Sequence, residues 1–420
     1  MIRLILLVFL AGTAGFSGGT ASAQTGTNRP GLPDSATEAN LPVVFLVAKE
    51  TIPSDQKTPC TVRIAGAIGR EDGATNRWPA LEVIHGGVSR GYPKKSIGFT
   101  LEAPAPLLDM APHRHWILNA AYINRSLMRH KLSYDLFRSL SVPGSPRFAA
   151  ASRFVEVVVN SNYHGVYLLM ERVDRQRLGL QAYSSNDLNH ACLYKAVDHA
   201  ADFRRRGHAG YEQKEPEPTI RPYWQPLDEF NRFVSSAPAP EFFHPEASLA
   251  SRLDLNNAID FHLLVLLTSN GDGITKNFLL ARDGQASGPT KPRFFFVPWD
   301  YDGTFGRNWD GSVSSPSDWL SNHLFDRLLG NAAYRDKFVA RWNQLRDRQF
   351  SAKTIQSMMD TNVRLLGDAP RRNAARWPVA GWPYPDRVTF EGDVSRMKSW
   401  IEARVSWLDR EINQRLAHSP

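Results

Sequence analysis

Asn270-Gly271-Asp272-Gly273-Ile274-Thr275-Lys276-Asn277 and, after a hydrophobic strand, Pro298-Trp299-Asp300-Tyr301-Asp302-Gly303-Thr304-Phe305-Gly306 decide how this chain is read. The two stretches hold three carboxylates, Asp272, Asp300 and Asp302, and two amides, Asn270 and Asn277, the hard oxygen donors that suit Mg²⁺. Asp300 and Asp302 stand two apart, so in an extended segment both side chains face the same way. Two carboxylates on one face repel unless a cation lies between them. Asp300 directly follows the strand at 294–297 and Pro298-Trp299; which of the two carboxylates is the principal ligand stays open. Asp272, between two glycines, sits in a turn from which it can orient a nearby hydroxyl. Taken singly, Asp272 and Asp302-Gly303 are also ordinary turn formers.

Outward from this stretch the chain falls into four parts. Residues 1–23 read as a secretory signal: Arg3, an apolar run from Ile2 to Ala11, and Ala21-Ser22-Ala23 before Gln24. That run is too short for a spanning helix, and so is the best later candidate, Ala258 to Leu267. Residues 24–40 form a polar leader, 41–220 a β-rich N-terminal lobe and 221–420 a helical C-terminal lobe. The boundary is placed in the polar, Pro-rich section 204–222. Strands are expected at 41–46, 60–68, 81–84, 95–101, 154–159, 165–170, 192–197 and 294–297. Asn160-Ser161-Asn162 marks a hairpin. Helices are expected at 126–140, 226–235, 254–269, 320–347, 351–366 and 393–417. The fold class is therefore α+β.

The net charge of +8 loses Arg3 with the signal and becomes +7 for the mature chain. That suits an anionic partner but is thinly spread, and the chain carries no lysine-rich tail or nucleic-acid motif. Cys60 and Cys192 exclude a disulfide framework and leave either one bridge or two separate thiols. His113 and His115 stand without further zinc ligands, and neither a His-Glu-x-x-His nor a Gly-x-Ser-x-Gly motif occurs. Arg90, Lys94, Lys95 and Lys195 are the candidate phosphate contacts. Lys94 and Lys95 should point to opposite faces, and Lys95, in phase with Ile97 and Phe99, is the one expected to point inward. Arg90 offers a fixed bidentate fork.

Further motifs give the chain a relation. Arg90-Gly91-Tyr92-Pro93-Lys94-Lys95-Ser96, Leu118-Asn119-Ala120-Ala121-Tyr122 with Ser126-Leu127-Met128-Arg129, and Val157-Val158-Val159-Asn160 through Gly165-Val166-Tyr167-Leu168 to Glu171 resemble elements of the CotH spore-coat kinase-like family. With Asp272, Lys276-Asn277 and the Pro298 to Gly306 run, the resemblance covers about residues 80–345 in family order. An Asp, an Asn five residues on and a later Asp after a strand is also the order of protein kinases.

The resemblance implies an atypical, two-lobed protein-kinase-like fold. It implies ATP with Mg²⁺ or Mn²⁺, and transfer of the γ-phosphate to Ser or Thr of secreted, periplasmic or envelope proteins. Asp272 would then orient the acceptor hydroxyl, with Asn277, Asp300 and Asp302 on the metal. Arg129 and Glu171 would orient the basic groups, as a Lys–Glu pair does in kinases. Gly271 stands where ordinary kinases carry an arginine, and no Ser/Thr pair follows Gly91. The competing readings are a non-catalytic kinase-like protein for adhesion or envelope assembly, and a metal-dependent enzyme acting on envelope phosphate esters.

Overall fold

Seven strands close into a barrel in the order β1-β2-β3-β4-β5-β7-β6. They are β1 (Val43–Ala48), β2 (Thr58–Ala65), β3 (Asn76–His85), β4 (Ser96–Ala105), β5 (His113–Asn119), β6 (Ser152–Val159) and β7 (Asn162–Glu171). Neighbours pair antiparallel except at the closure, where β1 runs parallel to β6 with Val44 opposite Val157. The computed structural model describes residues 41–416 apart from 49–51, 54, 67–75, 186–189, 245–247, 285–291 and 379–386. The expected signal and leader, 1–23 and 24–40, lie outside the described residues.

Alternation builds the barrel core. Cys60, Val62 and Ile64 of β2 point in, as do Ile97, Phe99 and Leu101 of β4. β6 and β7 are buried on both faces, because α8 (Ala369–Arg376) packs on β7 and because Phe154, Leu168 and Met170 share the main core with Leu132 and Leu136 of α1 (Arg129–Arg138). Gly165, at φ 94°, lets α8 approach: a Cβ there would meet the Asn373 amide oxygen at 2.4 Å. Asn160 and Ser161 take the left-handed conformations that turn the β6–β7 hairpin.

A second sheet has the order β11-β10-β8-β9, all antiparallel. Its strands are β8 (Cys192–Ala196), β9 (Tyr211–Glu215), β10 (Phe278–Arg282) and β11 (Phe295–Pro298). It draws on residues from both sides of the 204–222 section. α4 (Leu255–Thr268) packs on β11; the other helices of this half are α2 (Gln225–Ser236), α3 (Ala239–Phe242), α5 (His323–Leu329), α6 (Ala332–Arg346), α7 (Ala352–Leu366), α8 and α9 (Phe390–Arg410). α4 is apolar on almost every side and is the spine of this core, with Phe261 stacked on Phe296 at 4.6 Å. Burying one such Leu or Phe side chain is worth about 1.5–3 kcal/mol.

Three differences from expectation have local causes. The single helix expected over 320–347 is two, broken at Gly330-Asn331, where Asn331 caps α6 by accepting the Tyr334 N–H. β5, β9 and β10 were not anticipated: His113-Arg-His115 and Glu212-Gln-Lys214 interrupt the apolar pattern, and the apolar run of β10 is only Phe278 to Ala281. The cysteines are two separate buried thiols, Cys60 in the barrel and Cys192 in the main core. No helix among the described residues is long and apolar enough to cross a membrane.

Candidate active site

α4 delivers the first half of the site. Asp254 caps its start, and it ends in Ser269 at φ 50°, which turns the chain into Asn270. The Asn270 side chain accepts the Gly273 N–H at 2.9 Å, and Asn322, at the start of α5, donates to Ile274 O at 2.6 Å. These bonds shape the turn that presents Asp272. Lys276, one helical step on, lies 3.2 Å from the Asp272 carboxylate, and His199 lies 3.5 Å away on the other oxygen.

The β10–β11 hairpin brings in the second half. Phe278 pairs with Pro298, so the residues just outside the ladder, Asn277 and Asp300, come together although 23 positions apart (300 − 277). Trp299 N–H donates to Asn277 O at 3.1 Å, and Asn277 N–H to Ala196 O at 3.0 Å. Both Asn277 (φ 58°) and Asp300 (φ 57°) are left-handed, a conformation Asn and Asp tolerate best among residues with a side chain.

α1 then fixes the Asp300 loop at three points. Tyr134 Oη accepts the Asp300 N–H at 3.0 Å, His130 Nδ1 accepts the Tyr301 N–H at 3.0 Å, and Arg129 Nε donates to Thr304 O at 2.8 Å. Arg129 is itself held by a buried fork to Asp393 in the first turn of α9, with Nη2 2.8 Å from Oδ1. Burial alone would raise the Asp393 carboxyl, but the Arg129 charge outweighs it and holds Asp393 below its ordinary range.

Asp272, Asn277, Asp300 and Asp302 all line one cleft of about 170 Å³. Donor atoms of His130, Asp300 and Asp302 lie within 4.8 Å of one another. Burial, reinforced by the Asp300 charge, pushes the Asp302 carboxyl up to about 8. A divalent cation would relieve that repulsion, so these residues fit one. His130 is a poor direct ligand: with Nδ1 accepting from Tyr301, the neutral ring carries its proton on Nε2, 3.9 Å from Asp300. Burial, only partly opposed by Asp300, lowers the His130 pKa and keeps the ring neutral. The oxygens of Asn277, Asp300 and Asp302 would suit a hard ion, with His130 bracing the loop that carries Asp300.

Lys195 on β8 stands beside this cleft. Its ammonium lies 5.2 Å from the centre of the Trp299 ring; burial lowers its pKa while Asp300 opposes the shift. It belongs to a cationic group. Burial and then the charges of Lys195, Arg172, Arg90 and Lys214 push the His85 imidazole down to about 4.

The remaining sequence candidates are placed differently. The expectation that Lys95 points inward is reversed: β4 begins only at Ser96, so its alternation does not reach back to the lysines. Lys95 is exposed and its ammonium bonds Arg90 O, while Arg90 is exposed on the turn Val88–Gly91. Lys94 is buried instead, donating to Val166 O and, at 3.0 Å, to Asn373 on α8; it is a tie between barrel and helix. Glu171 pairs with Arg177 at 3.0 Å, and Arg129 with Asp393, so each sits in a structural ion pair rather than orienting Lys94, Lys95 or Lys195. The residue after Glu171, Arg172, just past the end of β7, is the one that joins the cationic group. His130, Arg172 and His199 were missed, and no short pattern in the sequence marks them.

A cleft that gathers carboxylates and an amide beside a bank of cations is the layout of a metal-assisted phosphate site. The family profile described as CotH kinase protein matches residues 83–408, most of the chain, and the chain belongs to that family. A relative, the inner spore coat protein H of Bacillus subtilis (strain 168), is 27 % identical over 279 residues, covering 64 % of this chain and 69 % of that protein.

Proposed function

We propose that the protein is a kinase with a two-lobed, protein-kinase-like arrangement. It would transfer the γ-phosphate of ATP to Ser or Thr of secreted, periplasmic or envelope proteins. The observation that carries this reading is the convergence of Asp272, Asn277, Asp300 and Asp302 on one cleft bordered by Lys195. The secretory signal read in residues 1–23, and the coat location in the name of the Bacillus relative, support an exported site of action.

Asn277, Asp300 and Asp302 would hold Mg²⁺ or Mn²⁺, which supplies charge neutralisation for the phosphates. Lys195 and Arg172 face the same region and would bind the phosphate oxygens. Asp272 orients the acceptor hydroxyl and takes its proton as the new P–O bond forms and the bond to ADP breaks. Lys276 and His199 brace that carboxylate. The test is incubation of the mature chain with γ-labelled ATP and an envelope extract, with and without Mn²⁺. Metal-dependent label on protein is the expected result. Metal-dependent nucleotide binding with no transfer to any protein would favour the non-catalytic scaffold, and release of phosphate from envelope esters the third reading.

A further inference from the structure

On the far side of β7 from the cationic group lies a second cleft. Two adjoining cavities of about 330 and 440 Å³ share Arg138 and Arg147 in their walls, and Arg153 and Arg177 line the larger-walled first of them. The four arginines come from separate places: the last turn of α1, the segment before β6, β6 itself and the turn after β7. Their charge is only partly answered by the carboxylates that line the cleft or back onto it, Asp109, Asp135, Glu171 and Asp260. Asp260 is buried against Arg147 at 2.6 Å but also takes Arg341, and Glu171 takes Arg177. Asp135 is shared between Lys131 at 2.6 Å and Arg138 at 3.6 Å. Among the described residues, Arg153 has no carboxylate partner, and the Arg177 Nε is buried without a hydrogen bond. Phe148 and Leu178 give the cleft an apolar floor between these cations.

We propose that this cleft docks an extended acidic peptide segment of a partner protein. Guanidinium forks match carboxylates bidentately. Cations spread along a groove with an apolar floor suit a chain of Asp and Glu side chains better than a single small anion. Glu171 lines this cleft, whereas the Arg172 charge acts on His85 and Lys195, so an occupant here does not compete with nucleotide. The inference stands whether or not the protein transfers phosphate.

The test is fluorescence anisotropy of a labelled hexaglutamate peptide on the full chain, with Arg138→Gln/Arg153→Gln as the variant. Saturable, salt-sensitive binding is expected, weakened about tenfold in the variant, equivalent to about 1.4 kcal/mol. The thermal shift given by ATP with Mn²⁺ should be unchanged, and should also show that the variant is folded. If the double variant does not fold, Arg138→Glu alone, at a half-exposed helix end, should give the same direction of change. No saturable binding to the wild type, or equal affinity in the folded variant, would overturn the proposal. So would tighter binding of a single-stranded oligonucleotide of equal charge that the same variant abolishes, since the cleft would then read a phosphate chain.

Discussion

Asp393 and Asp302 lie against the same helix, α1, and the protein treats their charges in opposite ways. Asp393 is buried, yet both its oxygens are engaged, by the Arg129 fork and by the Ser126 N–H at 2.8 Å. Asp302 faces Asp300 and Asp272, and burial with the Asp300 charge outweighs the Arg307 cation that opposes them. A paired charge closes a fold; gathered like charges leave an electrostatic debt that a ligand can settle. The difference separates scaffold from site more clearly than burial does.

The largest expected effect breaks the paired side. Asp393→Ala strands the Arg129 guanidinium and should cost about 3–5 kcal/mol in denaturant unfolding. Asp302→Ala, which removes a like charge, should leave the metal-free protein at least as stable as wild type. Equal losses in the two variants would erase the distinction.

On the gathered side, Asp272→Asn should lower phosphoryl transfer by roughly 10²- to 10⁴-fold in a single-turnover assay. The amide keeps the shape but cannot take the proton. Nucleotide binding should persist, because Asp272 is assigned to the acceptor. Wild-type transfer by this variant would remove Asp272 from the mechanism.

Asp300→Ala should abolish the stabilisation given by ATP with metal, about 2.7 kcal/mol when ligand is 100-fold above its Kd. A calorimetric scan with and without the pair reads this directly, and an intact shift would reject Asp300 as a ligand.

The effect that is smallest at neutral pH concerns a third treatment of charge, exclusion. His262 is fully buried, stacked on Phe325 at 4.1 Å with Nε2 2.8 Å from Leu320 O, and burial pushes its pKa down to about 4. Between pH 6.5 and 4 the unfolded chain binds a proton there that the folded one refuses, so stability falls as pH falls. His262→Phe should gain on the wild type by up to about 1.4 kcal/mol per pH unit across that window. A constant difference between the two proteins would show that His262 is already charged in the fold.

The oxygen cluster was legible because its logic is local. Asn277 and Asp300 flank the two strands of one hairpin, and Asp272 follows one helix. The lysines were not, because Lys94 is committed to Asn373, a partner 279 positions away. The parallel closure of β1 on β6 was likewise hidden, since nothing near Val43 specifies Glu156 as its neighbour. His130 and Tyr134 were visible as helical residues, but their hold on Asp300 joins segments about 170 positions apart, which no short pattern encodes.

The β10–β11 hairpin has a consequence for evolution. Ladder pairing sets Asn277 beside Asp300, and α1 holds the far end, so the number of residues linking the two strands is not a design variable of the cleft. Lengthening a loop between paired strands costs little, about 0.6 kcal/mol for each doubling. Relatives are therefore free to drift in the interval between their Asn and Asp. A genome search that demands a fixed interval would discard working members, whereas one that demands an Asn ending one strand approach and an Asp leaving its partner would keep them.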